Sequence, residues 1–482
     1  MIPFHPAPTI ALIGLPPQVA LLGTLGFVFL LFRRDVRERP NITGALWLPL
    51  LWLLLICSRS VSAWLHIFGL PVEVPQSVEE GSPLDASVYL ALSAVGFCVL
   101  LKRQVNLAEI IRDNGWLIAF LVYCFISITW SDYPFISFKR WIKGLGHPIM
   151  ALIVLTETDP EEALTALMKR CAYLIVPVSI LFIKYYPELG AYYDQWTGAP
   201  MYKGIAGHKN MLGADCMILG LFFSWYLIQI WRSERSRWRT RELWLVAGFL
   251  LMISWLVRKA HSATGAICLL AGVMLIMLVR VRSVKRHIGT CLLAAVTLIM
   301  VAEVAVGISG ELSEMLGRGS SLSGRTMLWA RLLGLHTNPM FGTGFESFWL
   351  GNRLEQLQGI FFFIPNEAHN GYLEIYLNLG LIGLLLLTGF IIATFWRIRL
   401  DLFQNFEWGR YRLAYFAAVV LYNVTEAGFR IMNPIWFVFY LILWSVRELA
   451  SEMRTSRWEV HGWKKVKTSC TSRQMPDAGG SS

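Results

Sequence analysis

Long apolar stretches separated by short charged clusters dominate the chain. The runs fall at about 9 to 32, 44 to 68, 85 to 101, 116 to 130, 146 to 157, 163 to 184, 210 to 231, 243 to 257, 264 to 280, 288 to 309, 370 to 396, 411 to 428 and 434 to 449. Most approach the roughly 17 to 25 residues that a helix needs to cross a hydrocarbon core, where the backbone finds no water and must bond to itself. The pattern predicts an all-α polytopic transmembrane bundle of about 12 to 13 spans. The run at 146 to 157 is too short to cross alone, so it borrows residues from its flanks or forms a re-entrant piece.

Composition removes the soluble alternatives. Of 482 residues, 55% are hydrophobic and 16% charged, against about 25% charged in an ordinary soluble domain, and mean hydropathy is +0.52. Cys57, Cys98, Cys124, Cys171, Cys216, Cys268 and Cys291 lie in or beside apolar runs without CxxC spacing, which argues for neither a zinc site nor a disulfide framework. The N-terminal MIPFHPAPTI has no basic region and no small-residue cleavage site, so no removable signal peptide is expected.

The net charge of +11 would suggest nucleic acid in a soluble protein, but here its distribution follows topology. Most lysines and arginines sit in alternate connections: Arg33 to Arg39, Lys102 to Arg112, Lys169 and Arg170, Arg232 to Arg241, Arg280 to Arg286, Arg397 to Arg412, and the tail after Arg447. The positive-inside rule places these in the cytoplasm and the N-terminus outside. The expected organisation is helices over 1–309 with outward loops at 131–145, 185–209 and 258–263; a long extracytoplasmic loop at 310–368 with helical segments; further helices over 369–449; and a disordered cytoplasmic tail at 450–482.

The remaining cations concentrate in those outward loops, with no metal-ligand spacing, and suggest an anionic ligand such as phosphate. Arginine holds two phosphate oxygens at once and stays charged when partly dehydrated; snorkelling to lipid headgroups is the plainer use of any single lysine. In the long loop, GRGSSLSGRTMLW presents Arg318 and Arg325, Ser323 is a plausible helix N-cap, HTNPMFGTG predicts a turn, and PNEAHNGYLEIYLNLGLIG puts His369 and Asn370 where the chain re-enters the bilayer. A histidine there, neutral near physiological pH, could take a proton from a sugar hydroxyl, with Glu367 to orient it; otherwise it simply caps the following helix.

These residues resemble the bacterial O-antigen ligases and the related exopolysaccharide and O-antigen polymerases. WTGAPMYKGIAGHKNMLG, SGRTMLWARLLG with NPMFGTGF, and EAHNGYLEIYLNLGLIG carry the resemblance, which extends from WSDYPFISFKRWIKGLGH to the helix after His369. It implies a GT-C-like membrane glycosyltransferase with an active site at the outer face of the inner membrane, using no metal, cofactor or nucleotide. The implied donor is an undecaprenyl-diphosphate-linked glycan, and the acceptor is lipid A core or a growing polysaccharide. It also implies Arg325 as a diphosphate ligand and His369 as the base, and a basic residue near VRKAHSATG, where His261, Arg258 and Lys259 are the candidates. Gly319 stands where relatives commonly carry an acid.

Other segments keep two readings. Gly207, His208, Lys209 and Asn210 line the donor site, or Gly207 ends the loop and Asn210 caps the next helix. FKRWIKGLGH reads as an interfacial hairpin with Trp141 at headgroup depth. Arg59, in an apolar run, is either functional or paired with another helix, and the NIT and NVT triplets are assigned nothing. The alternative function is a transporter or flippase for a lipid-linked or anionic substrate. That would predict midplane cations, broken helices in corresponding halves and an internal repeat, and no convincing repeat is present.

Overall fold

The computed structural model describes residues 15–39, 41–72, 81–193, 198–290, 321–335, 337–358 and 366–443. Arg318, most of the 288 to 309 run and the tail at 450–482 lie outside them.

The described chain is helical apart from one two-stranded ribbon, Ala191–Tyr193 against Pro200–Tyr202. The helices are α1 (Pro17–Glu38), α2 (Trp47–Ile56), α3 (Val61–Ile67), α4 (Pro83–Lys102), α5 (Leu107–Asp113), α6 (Gly115–Ile126), α7 (Pro134–Gly144), α8 (Gly146–Leu155), α9 (Pro160–Tyr185) and α10 (Pro187–Gly190). They continue as α11 (Lys209–Arg232), α12 (Arg237–Ala260), α13 (Ala263–Leu278), α14 (Arg282–Arg286), α15 (Ser321–Leu333), α16 (Asn352–Gln358), α17 (Gly371–Gln404), α18 (Phe406–Thr425) and α19 (Pro434–Leu443).

Among the described residues, five helices are long and apolar enough to cross a bilayer: α4, α9, α11, α12 and α17. A sixth counts if α2 and α3, bent by 72° across Cys57 to Ser60, form one broken span. Shorter apolar helices account for other runs. Among the described residues, the expected runs thus resolve into full-length helices plus short or broken pieces. The run at 146 to 157 becomes α8, ten residues long and almost wholly buried; it ends where the Thr156 hydroxyl bonds back to the Leu152 carbonyl and Glu157 leaves the helix for Arg103 and Thr43.

The crossing helices divide by what they touch. The apolar windows of α9 and α11 are 83% and 78% buried, whereas those of α4 and α12 are 28% buried. The outer faces of α4 and α12 nevertheless carry exposed Leu90, Val95, Trp244 and Leu251. A helix apolar on its exposed side as well as its packed side is suited to lipid, not water.

The long helix α17 is interrupted at Gly380, where φ is 65° and ψ is −164°. That conformation is open to glycine at little cost. The turn from Asn338 to Gly344, expected from the sequence, docks there. Leu381 and Ile382 N–H groups donate to the Pro339 and Met340 carbonyls at 2.9 and 3.2 Å, and Thr343 and Gly344 N–H groups donate to the Leu377 and Asn378 carbonyls at 3.2 and 2.9 Å. A Cβ on Gly380 would lie 2.3 Å from the Met340 backbone. The turn therefore satisfies the groups freed by the kink and fixes the first turns of α17, at whose start the candidate site lies.

Candidate active site

Residues 366 to 370 enter α17 under restraint on both sides. The Trp329 indole of α15 donates to the Ala368 carbonyl at 2.7 Å, and the Ala368 N–H donates to Glu374 at 3.0 Å. The Gly371 N–H donates to the Glu426 carbonyl at 3.1 Å, where a Cβ would strike the Asn423 side chain. Between these anchors His369 takes a left-handed backbone, φ 48°, uncommon for any residue but glycine. Asn370 is the N-cap, its Oδ1 accepting from the Tyr372 and Leu373 N–H groups at 3.0 Å each. His369 therefore does not cap the helix, and the capping reading of it is set aside.

The His369 ring is turned instead toward two carboxylates. Its Nδ1 lies 2.9 Å from Glu367 Oε1 and 3.3 Å from Glu426 Oε2. Glu426 follows α18, and its Oε1 accepts from the Arg325 guanidinium of α15 at 2.7 Å and from the Asn210 amide of α11 at 3.0 Å. Glu367 also pairs with Arg430 at 3.2 Å, whose Nε is 3.8 Å from Glu374. Residues distant in sequence thus converge on one connected set of charges.

Burial alone would favour a neutral imidazole, but hydrogen bonds and charge from Glu367 and Glu426 outweigh it and push the His369 pKa up to about 9. Against the same desolvation, His369, Arg430 and His208 hold Glu367 down to about 2. Arg430 is raised despite burial by Glu374, Glu346 and Glu367. The expectation of a neutral ring at physiological pH is thereby corrected: with both acids beside it, His369 rests as a cation.

Glu367, His369 and Glu426 offer ligand atoms within 4.8 Å of one another, a donor set that a metal ion could use. However, each carboxylate already carries a guanidinium, Arg430 or Arg325. A dication would have to displace these and take the imidazole proton.

The other candidates are placed unevenly. His208, not Asn210, caps α11: its Nδ1 accepts from the Met211 N–H at 3.3 Å, while Asn210 turns to Glu426. His208 stays within electrostatic reach of Glu367, Glu426 and His369. Lys209 contacts Met201 Sδ at 3.0 Å. Lys259 lies over the Tyr202 ring at 4.8 Å, Arg258 is exposed, and His261 ends α12 in a left-handed turn, φ 47°. That turn is tied to the site's side of the bundle by Thr264 and Thr425, whose hydroxyls are 2.8 Å apart. Among the described residues, neither Arg258 nor Lys259 enters the ion pairs of the site. Asn370, a candidate substrate contact, has its acceptor oxygen engaged by the cap. Sequence reasoning missed Glu426 and Asn210's link to it. A lone acid between two apolar runs, in NVTEAGFR, was the available signal.

Residues 247–388 match the family profile described as O-antigen ligase. The similarity to the O-antigen ligases is carried by that stretch, less than half of the chain. The matched stretch holds Arg325, Glu367 and His369, while Asn210, Glu426 and Arg430 complete the candidate site from outside it. The chain is also similar to the exopolysaccharide production protein ExoQ of Rhizobium meliloti (strain 1021), 28% identical over 292 residues, which cover 58% of this chain and 64% of the relative. The match thus spans less than two thirds of that relative's length.

Proposed function

We propose that the protein is a membrane glycosyltransferase that moves a glycan from undecaprenyl diphosphate to a sugar hydroxyl at the outer face of the inner membrane, as an O-antigen ligase or an exopolysaccharide polymerase. The observation that carries this reading is the shared carboxylate Glu426, which holds His369 and Arg325 side by side. That arrangement supplies the two functions the reaction needs. Arg325, 23% exposed at its side chain, can exchange Glu426 for the donor's diphosphate, and a guanidinium fork matches the departing oxygens. Once it has released its resting proton, His369 accepts the proton of the acceptor hydroxyl, and the two glutamates stabilise the imidazolium that forms. Attack opposite the diphosphate inverts the anomeric carbon in one displacement.

No metal is required for this route, because Arg325, with Arg430 nearby, supplies the positive charge. Purified protein given the lipid-linked donor and an acceptor sugar lipid is expected to turn over in excess EDTA. A magnesium requirement that persists after reconstitution would replace the arginine account with metal neutralisation. The placement outside rests on cation distribution. After replacement of the native cysteines, Ser321→Cys is expected to react with an impermeant maleimide in intact cells and Ser236→Cys is not; the reverse labelling would turn the site to the cytoplasm.

A further inference from the structure

The segment from Lys203 to His208 connects the site to a second cationic place. Beside it an open cleft of about 510 Å³ is lined by Ser58, Arg59, Ser60, His66, Lys203 and Gly207, within the size range of small-ligand sites. It occupies the break between α2 and α3, where the chain bends by 72°. Irregular backbone is tolerated at such a place when it lines a cavity. The cleft is built, not incidental. The Arg59 guanidinium donates to the Leu189 carbonyl and, at 3.3 Å, to the Gly204 carbonyl, and it lies against the Trp64 ring at 5.7 Å. Gly204, φ 56°, approaches Ser179 so closely that a Cβ would lie 2.7 Å from it, and Ser179 Oγ accepts from the Ile205 N–H at 3.3 Å.

The two cationic places differ in what neutralises them. At the first, Arg325, Arg430 and the His369 ring each have a glutamate. Among the described residues lining the cleft there is no acid, and Asp85, on α4, is engaged by the N–H and hydroxyl of Ser62. Arg59 is held by carbonyl oxygens, and burial together with the facing Arg59 charge lowers the Lys203 pKa. Among the described residues, an incoming anion therefore displaces a carboxylate at the first place and none at the second.

We propose that the Arg59–Lys203 cleft is a second phosphate-binding subsite, which holds the phosphate-bearing end of the acceptor lipid while the donor diphosphate meets Arg325. This rests on the transfer reading above. Either acceptor class brings the same chemistry, a diphosphate on a polyprenyl-linked chain or a phosphomonoester on a core lipid.

The test uses the full chain reconstituted in liposomes. Lys203→Gln is the primary variant, because Lys203 lies over the Tyr192 ring whereas Arg59 holds backbone carbonyls. It is expected to raise the acceptor KM about tenfold, the scale of one lost charge-assisted contact, and the donor KM less than about threefold, under half of that effect on a logarithmic scale. Inorganic diphosphate and inorganic phosphate are then compared as inhibitors competitive with acceptor: stronger inhibition by diphosphate points to the polyprenyl-linked chain, and equal inhibition to the phosphomonoester. Calorimetric binding of inorganic diphosphate to the purified chain, made in an Arg325→Ala background so that the donor site does not contribute, is expected to weaken about tenfold when Lys203→Gln is added; it does not depend on turnover and so separates failure of the subsite from failure of the transfer reading. An unchanged acceptor KM with unchanged diphosphate affinity, or a donor KM that rises as much as the acceptor KM, overturns the proposal.

Discussion

Two of the regions where acids meet cations differ in what is left exposed. In one, Glu242 at the start of α12 takes Arg34 of α1 at 2.6 Å together with Lys169 of α9, and accepts from the Tyr226 hydroxyl at 3.1 Å. Asp35 there takes Arg170 at 2.7 Å together with Arg39. Both acid side chains are fully buried. In the other, around His369, the ring is 31% and Glu367 18% exposed at the side chain. The regular span of α12 runs from near the first region to His261 beside the second, about 28 Å at 1.5 Å per residue, close to the thickness of a hydrocarbon core. The closed set fastens four helices, and its two acids have no exposed oxygen to offer. The half-open set, with a histidine in a left-handed backbone, keeps groups that a ligand can reach.

If that distinction is right, mutation should separate activity from stability. The largest effect is expected at the open set. His369→Ala should lower single-turnover transfer by about 10² to 10⁴, the usual worth of a positioned general base, with donor binding and thermal stability near normal. At the closed set, Glu242→Ala leaves Lys169 and Arg34 without their buried partner, and should destabilise the chain by about 3 to 5 kcal/mol while transfer per folded molecule holds. Thermal unfolding beside single-turnover assays of both variants checks the contrast, and a swap of the two phenotypes would break it.

Smaller changes sharpen the comparison within the open set. Arg325→Lys keeps the charge and loses the fork, so donor KM should rise about tenfold; a variant with wild-type donor affinity would show that charge alone suffices. Glu426→Gln removes one of the two carboxylates that raise His369, so the pH inflection of transfer should move down from about 9 toward the ordinary histidine range. An unmoved inflection would assign the titration to another group.

The fold class was legible because an apolar run long enough to cross a bilayer has few other uses. The interruptions were less so: Gly380 in LNLGLIG looks like any glycine in a membrane helix, and its role emerges only when the Asn338–Gly344 turn docks on it. Arg325 and His369 were legible through the motifs around them. Glu426 was not, since its partners come from α11, α15 and the loop before α17, and no spacing rule links an acid after one helix to an arginine 101 residues earlier. The charge of His369 was misread for the same reason: Glu367 was visible as a neighbour, while Glu426 arrives only through the fold. At GHKNMLG, cap preference favoured Asn210, but a bond to Glu426 draws that side chain away and His208 takes the cap.

The central claim, that His369 is the base held between Glu367 and Glu426, is tested most directly by the pH dependence of kcat/KM for transfer from the lipid-linked donor. A base whose pKa stands near 9 is mostly protonated at neutral pH. The account therefore predicts a rate that climbs through pH 7 and 8, levels above about 9, and loses this dependence in His369→Gln. A wild-type profile that is flat or falls over the same range would contradict it, and would leave His369 as a cation facing the diphosphate.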